Sequence, residues 1–293
     1  MALPVPTTRF APSPSGPLHV GHLLAAREAR RLADELGGRC LLRIEDIDRV
    51  RCRKEYVVPM LEELAWLGLC FDGGIIWQSD RFELYARACA RLRELGVLYP
   101  CFCTRKEIQA QLAEADRAPH GPLGAVYPGT CRGLSEAERQ ERIGRGEAHC
   151  WRLDCRRVQD LIGCPSWVDL SRGEQRCIPS EMGDVVLARK DFPASYHLAV
   201  VVDDAEQGIT HVTRGSDLFE ATHIHRALQA LLHLPVPVWK HHGLLLDAAG
   251  KRLAKRDAAR SIASMRAAGA SPASLFASLD RAMERGGIWQ APC

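Results

Sequence analysis

From Leu18 onward the apolar residues fall at helical intervals. Leu23, Leu24, Ala26, Ala29 and Leu32 recur among Arg27, Glu28, Arg30 and Arg31, which is the pattern of a helix with one buried face. Just upstream, in APSPSGPLHVGHL, Pro12, Pro14 and Pro17 block a helix. Each fixes its own φ and biases its predecessor toward extended backbone. TTRFA before them reads as a short strand. His19 and His22, either side of Val20-Gly21, therefore stand at a strand-to-helix turn with the helix opening beneath them.

The same patterns continue along the chain. RCLLRIED (Arg39 to Asp46) reads as a strand running into an acidic loop. KEYVVPMLEELAWLGL reads as a helix disturbed near Pro59. After GGIIWQSDR, RFELYARACARLRELG reads as a helix ending at Gly96. Strands alternating with helices predict a parallel sheet flanked by helices. Val97 to about Arg189 breaks the pattern. It holds most of the cysteines, many prolines and glycines, and little helical periodicity outside SEAERQERIGRGE, and so reads as an inserted subdomain. Beyond it, LAVVV is expected to be a strand, Gln207-Gly208 a turn and ITHVT a second strand. LFEATHIHRALQALLHL is expected to be a helix, and WKHHGLLLDAAGKRLAKRDAARS a short apolar strand followed by a basic loop. The last thirty residues read as helices. The expected organisation is an α/β domain built from residues 1–97 and 190–257, an insertion over 98–189, and a helical tail over 258–293.

With 293 residues and a formal net charge of +3, the chain is expected to be a soluble globule. The net charge is too small to establish a nucleic-acid partner by itself. No apolar run approaches the roughly 20 residues of a membrane span. The N-terminus lacks a basic and then apolar leader, so a cytoplasmic location is expected. Twelve cysteines, scattered through an enzyme-like chain, favour free thiols plus one metal site over a disulfide scaffold.

The opening turn carries chemistry. A helix N-terminus offers N–H groups and partial positive charge to phosphate. Gly21 allows close approach to the backbone, and His19 and His22 can donate to a polyphosphate. RFAPSPSGPLHVGHL resembles the first signature of the class I aminoacyl-tRNA synthetases, and its Pro-Ser-Pro-Ser-Gly lead-in resembles the glutamyl/glutaminyl branch. LLRIEDIDR (Leu41 to Arg49) is similar to that branch's acidic motif. GKRLAKRD (Gly250 to Asp257) stands where the second, lysine-bearing signature belongs. The resemblance spans nearly the whole chain. It implies a Rossmann-like parallel sheet, an inserted zinc-binding subdomain and a short helical C-terminal tail.

The resemblance also implies roles. His19, His22 and Lys255 would stabilise the transition state of adenylate formation. His19, Gly21, His22, Arg252 and Lys255 would bind ATP, with Mg2+ on its phosphates. Physically, a basic loop can close over ATP and neutralise departing pyrophosphate. Arg252 and Ala254 depart from the family pattern, which has lysine and serine there. Glutamate would be held by Arg9, Phe10, Ala11, Pro12 and Ser13, by Glu45 at the end of a strand, and by Tyr196 and Arg214. Arginine suits a carboxylate, and the ends of parallel strands are where α/β sheets bind ligands. Cys101-Phe102-Cys103 with the later Cys131 supplies three thiolates for a tetrahedral zinc ion. The resemblance implies Tyr127 as the fourth ligand of a structural site, while His120, Cys150 and Cys155 stay open as rivals.

The chain stops about forty residues after the second signature, too few for the anticodon-reading domain of a full glutamyl-tRNA synthetase. This short form resembles the glutamyl-queuosine tRNA(Asp) synthetases. By that resemblance the enzyme would activate L-glutamate with ATP, without needing tRNA. It would then transfer glutamate to the queuosine base in the anticodon loop of tRNA(Asp), working as a monomer. Lys240 to Arg266, with seven Lys or Arg against two Asp, is a stretch suited to RNA phosphate. Three rival readings are ordinary charging of the 3′ end of tRNA(Glu), a non-catalytic RNA-binding paralogue, and another nucleotidylyltransferase sharing the His-x-Gly-His turn.

Overall fold

The computed structural model describes residues 4–114, 120–121, 124–189, 194–247, 250, 253 and 261–292. The chain begins with β1 (Thr7–Phe10), α1 (Val20–Glu35), β2 (Arg39–Ile44), α2 (Val57–Trp66), β3 (Ile76–Trp77) and α3 (Phe82–Glu94). Next come β4 (Leu98–Cys101), α4 (Arg105–Glu114), the two-residue strands β5 (His120–Gly121) and β6 (Gly124–Ala125), α5 (Glu136–Gly144), β7 (Cys150–Leu153) and α6 (Cys155–Ile162). The hairpin β8 (Ser166–Asp169) and β9 (Gly173–Arg176) precedes α7 (Pro179–Met182) and β10 (Val186–Arg189). The remainder is α8 (Tyr196–Glu206), β11 (His211–Gly215), α9 (Ala221–Leu232), β12 (Val238–His242), α10 (Ile262–Ala267) and α11 (Pro272–Glu284).

The expected α/β architecture with a parallel sheet is present. β1 pairs in parallel with β2, and β2 with β3. β11 pairs in parallel with β12. The two sets meet where the Thr210 N–H donates to Thr7 O at 3.0 Å and the Thr7 N–H donates to Thr210 Oγ1 at 2.8 Å. The Val97–Arg189 segment builds its own antiparallel sheet, in the order β10-β7-β4. Its hairpin leaves that sheet: β8 pairs with β12 through Asp169 and Trp239. Pro59 does not break α2. It sits in the first turn, where a missing N–H costs nothing, and Lys54–Tyr56 form a separate 3-10 turn ahead of it. Among the described residues no helix is long and apolar enough to cross a membrane.

Two sequence expectations are corrected. The Val97–Arg189 segment, read as having little helical periodicity outside SEAERQERIGRGE, also holds α4, α6 and α7. LAVVV is not a strand but the centre of α8. Val and Ile favour strands by propensity, yet a short apolar run buried all round cannot be told from a buried helix by periodicity. Leu198 to Val202 are all buried between α3 and α9, so packing overrides propensity.

The helix ends in two adjacent carboxylates. Asp204 accepts from Arg9 Nε at 2.9 Å and from Arg43 Nη1 at 2.8 Å, which ties α8 to β1 and β2. Asp203 accepts from Gln78 Nε2 and Tyr85 Oη, each at 2.8 Å, and from Arg81 Nε at 2.7 Å, which ties it to the start of α3. Burial pushes the Asp204 carboxyl up, but Arg9 and Arg43 pull it further down, so the net shift is downward. Removing one member of a buried ion pair strands the other charges. Asp204→Asn is therefore expected to cost about 3–5 kcal/mol in urea unfolding. A loss under about 1 kcal/mol would mean that the cluster is solvated.

Candidate active site and metal centre

α1 starts at His19 because the prolines end there and the histidine caps the helix. His19 is extended (φ −132, ψ 172). Its Nδ1 accepts the Gly21 N–H at 3.0 Å, and the His22 Nδ1 accepts the His19 N–H at 3.1 Å. The two histidines thus form a reciprocal capping box, the role usually taken by Ser and Glu. Their rings stack with centroids 3.9 Å apart. With Nδ1 serving as acceptor in both, each neutral ring carries its proton on Nε2. The pair is thereby fixed as two N–H donors. Gly21 has a steric reason beyond ligand access: a Cβ there would lie 2.9 Å from Cε1 of the His19 ring.

The histidines line a cavity of about 590 Å3. Its walls include Arg9, Phe10, Ala11, Pro12 and Ser13 from the end of β1, Glu45 beyond β2, Tyr196 at the start of α8 and Arg214 on β11. The structure therefore brings the sequence-predicted glutamate set and His19, Gly21 and His22 to one place. A neighbouring cavity of about 380 Å3 shares Ser13, Glu45 and Tyr196 with it. Arg51, Arg105 and Arg189 also line this second cavity. Arg252 and Lys255 lie outside the described residues. Of the basic stretch, Leu253 lines the main cavity, and Ser261 bridges to His19.

The charged groups differ in how they are engaged. Arg9 is committed to Asp204 and donates to the Thr213 carbonyl at 3.3 Å. Glu45 lies 3.4 Å from Arg43. Burial pushes its carboxyl up, and Arg43 and Arg9 only partly offset this. Arg214 is 6% exposed. It donates from Nε to His241 Nε2 at 3.1 Å, and from Nη1 to His225 Nδ1 at 2.9 Å and Tyr196 Oη at 3.4 Å. Its Nη2 donates to Thr222 Oγ1. All these acceptors are neutral. Sequence reasoning missed His225, His241 and Asp169. The signal available was a polar residue at a core position of an apolar element: His225 lies beside Ile224 and Leu228 on α9, and His241 follows Trp239 on β12.

In the inserted segment Cys101, Cys103 and Cys131 bring their sulfurs within 4.8 Å of one another. Tetrahedral zinc with thiolate bonds of about 2.3 Å needs sulfurs about 3.8 Å apart, so the donor set fits such an ion. Tyr127 Oη lies 3.4 Å from the sulfurs of both Cys101 and Cys103. The Phe102 N–H donates to the Cys131 sulfur at 3.4 Å, an interaction that favours thiolate. Among the rivals, Cys150 faces Cys101 across the β4–β7 pairing. Cys155 packs in the main core. The side chain of His120 lies outside the described residues.

A family model described as tRNA synthetases class I (E and Q), catalytic domain, matches residues 6–286. Fold and site together are those of a class I aminoacyl-tRNA synthetase catalytic domain. A protein of Rhodobacter capsulatus named glutamyl-Q tRNA(Asp) synthetase is 50% identical over 273 residues, covering 92% of this chain and 97% of the relative. One of Nocardia farcinica with the same name is 47% identical, covering 92% of this chain and 82% of the relative. The chain belongs to this glutamyl-Q tRNA(Asp) synthetase family of short class I synthetases. Among solved structures, a glutamate tRNA ligase of Elizabethkingia meningosepticum in complex with its amino acid superposes with a TM-score of 0.74 at 29% identity, over 87% of this chain. The chain spans about half, 52%, of that longer ligase.

The cysteine group leads to a direct expectation. Cys103→Ser is expected to lose a bound divalent ion and to lower the melting temperature. Tyr127→Phe is expected to yield the ion to a chelator faster than the wild type. Metal analysis of the three purified proteins is the check, and equal metal content throughout would remove the cluster as a metal centre.

Proposed function

We propose that this enzyme activates L-glutamate with ATP to glutamyl-adenylate and transfers the glutamyl group to the queuosine base at the wobble position of tRNA(Asp). The observation that carries the reading is the charge arrangement of the main cavity. A buried guanidinium without a carboxylate partner among the described residues, Arg214, and a buried acid, Glu45, share it with two histidines whose Nδ1 atoms accept backbone N–H groups. Arg214 suits a substrate carboxylate, and Glu45 suits the α-ammonium. Phe10, Ala11, Pro12, Ser13 and Tyr196 complete the glutamate wall, with Arg9 holding its end of β1 to α8. The Nε2–H donors of His19 and His22 suit ATP phosphates whose charge rises as pyrophosphate departs, and Gly21 keeps the helix end open between them. Arg252 and Lys255 are assigned to ATP on the resemblance alone. Mg2+ arrives with the nucleotide. Zinc is the ion assigned to Cys101, Cys103, Tyr127 and Cys131, where it would brace the β4–β7 sheet without entering the chemistry.

The reaction is in-line attack by the glutamate α-carboxylate on the α-phosphorus with loss of pyrophosphate, then attack of a queuosine hydroxyl on the mixed anhydride with loss of AMP. Orientation and charge stabilisation do most of the work. The names of the relatives support the queuosine acceptor. Arg51, Arg105 and Arg189 have no carboxylate partner among the described residues and line the adjoining cavity, which suits an RNA acceptor.

The test is glutamate-dependent exchange of pyrophosphate into ATP without RNA, followed by transfer of labelled glutamate. Exchange is expected with glutamate and not with glutamine. Transfer is expected to tRNA(Asp) bearing queuosine, and not to the unmodified transcript or to tRNA(Glu). Charging of tRNA(Glu) alone would overturn the acceptor, and absence of exchange would overturn the activation step. The pH profile carries a second expectation. Only ionised Glu45 holds the ammonium, and its carboxyl is raised by burial. Exchange kcat/KM for glutamate is therefore expected to fall, as pH is lowered, at a higher pH than an ordinary glutamate would dictate.

A further inference from the structure

Arg214 is buried among neutral acceptors, and the proton positions on the two imidazoles that touch it follow from their partners. Asp169, on β8, accepts from His241 Nδ1 at 2.6 Å and from the His241 backbone N–H at 3.2 Å. His241 Nδ1 therefore carries the proton, and its Nε2 lone pair faces Arg214 Nε. His225 Nδ1 accepts from Arg214 Nη1, so the His225 proton sits on Nε2 and is donated to His197 Nδ1 at 3.2 Å. One carboxylate and one guanidinium thus fix both histidines that touch Arg214 in single neutral tautomers. Each added charge is disfavoured by burial first and by Arg214 next, which push His241 and His197 down to about 4 and His225 well below its ordinary value.

This arrangement is costly for a cation. A carboxylate in place of either imidazole would neutralise Arg214 and lower the cost of burying it. It would also compete with an anionic ligand. Imidazole lone pairs satisfy the N–H groups without cancelling the charge. We propose that His241 and His225, oriented by Asp169 and His197, are positioning residues that hold Arg214 as an uncompensated cation aimed at a substrate carboxylate. The inference rests on the glutamate reading above and adds the groups that set the strength of its carboxylate site.

The test measures KM for glutamate and for ATP separately in RNA-free pyrophosphate exchange, with folding followed by thermal melting. His225→Leu keeps volume but offers no acceptor. Because a hydrogen bond to a charged group is lost, it is expected to raise KM for glutamate roughly tenfold or more, with KM for ATP within about twofold. His225→Asn, whose Oδ1 can accept where Nδ1 did, is expected to restore most of the loss. Asp169→Asn is the milder variant if His225→Leu does not fold. Its amide can donate to His241 Nδ1, turning the Nε2 proton against Arg214, and it is expected to raise KM for glutamate in the same direction. Folded variants with wild-type KM for glutamate, or Leu and Asn at 225 equally impaired, would overturn the positioning role. Wild-type protein that shows no glutamate-dependent exchange would overturn the glutamate reading and this role with it. Wild-type exchange with unmoved variants would overturn the positioning role alone.

Discussion

Everything at this site depends on the carboxylate pair that ends α8. Arg9, Arg43 and Arg81 bring three guanidiniums to Asp203, Asp204 and Glu45, and the charges are matched in a largely buried region. A buried cluster of this kind contributes little net stability compared with an apolar core, but it tolerates very few arrangements. It fixes where β1 and β2 end relative to α8, and so where Ser13, Glu45 and Tyr196 meet. With Arg9 held by Asp204, Arg214 is left without a carboxylate partner among the described residues that line the main cavity.

The legible parts of the site were those whose chemistry is local in sequence. His19, Gly21 and His22 lie within one helical turn, so the proline-rich entry and the helical spacing were enough to place them at a helix start. The capping box itself is a contact at three residues' separation. The C-x-C pair and Cys131 were likewise legible from spacing and residue type. α1 and α3 were readable because each buries one face at helical spacing.

The rest depends on contacts that no local pattern carries. α8 reads as a strand because valines dominate it, and only burial on every side makes it a helix. The partners of Arg214 stand at 196, 222, 225 and 241, on three separate elements, with Asp169 behind His241 on a fourth, and nothing near residue 214 announces them. The resemblance to a synthetase family named Arg214 and Tyr196 but not Thr222, His225 or His241, since signatures record the groups expected to face substrate rather than those behind them.

The hairpin of β8 and β9 gives the architecture a less obvious property. It belongs by sequence to the inserted segment, yet it extends the β11–β12 sheet, with β8 beside β12 and β9 at the edge, and Asp169 reaches His241 from there. The insertion is therefore not an interchangeable cassette. A graft of residues 98–189 from a distant relative would import Asp169, and with it part of the surroundings of Arg214, along with the cysteine cluster. Any change in substrate preference between such chimeras would have to be traced to the hairpin before it was credited to RNA recognition.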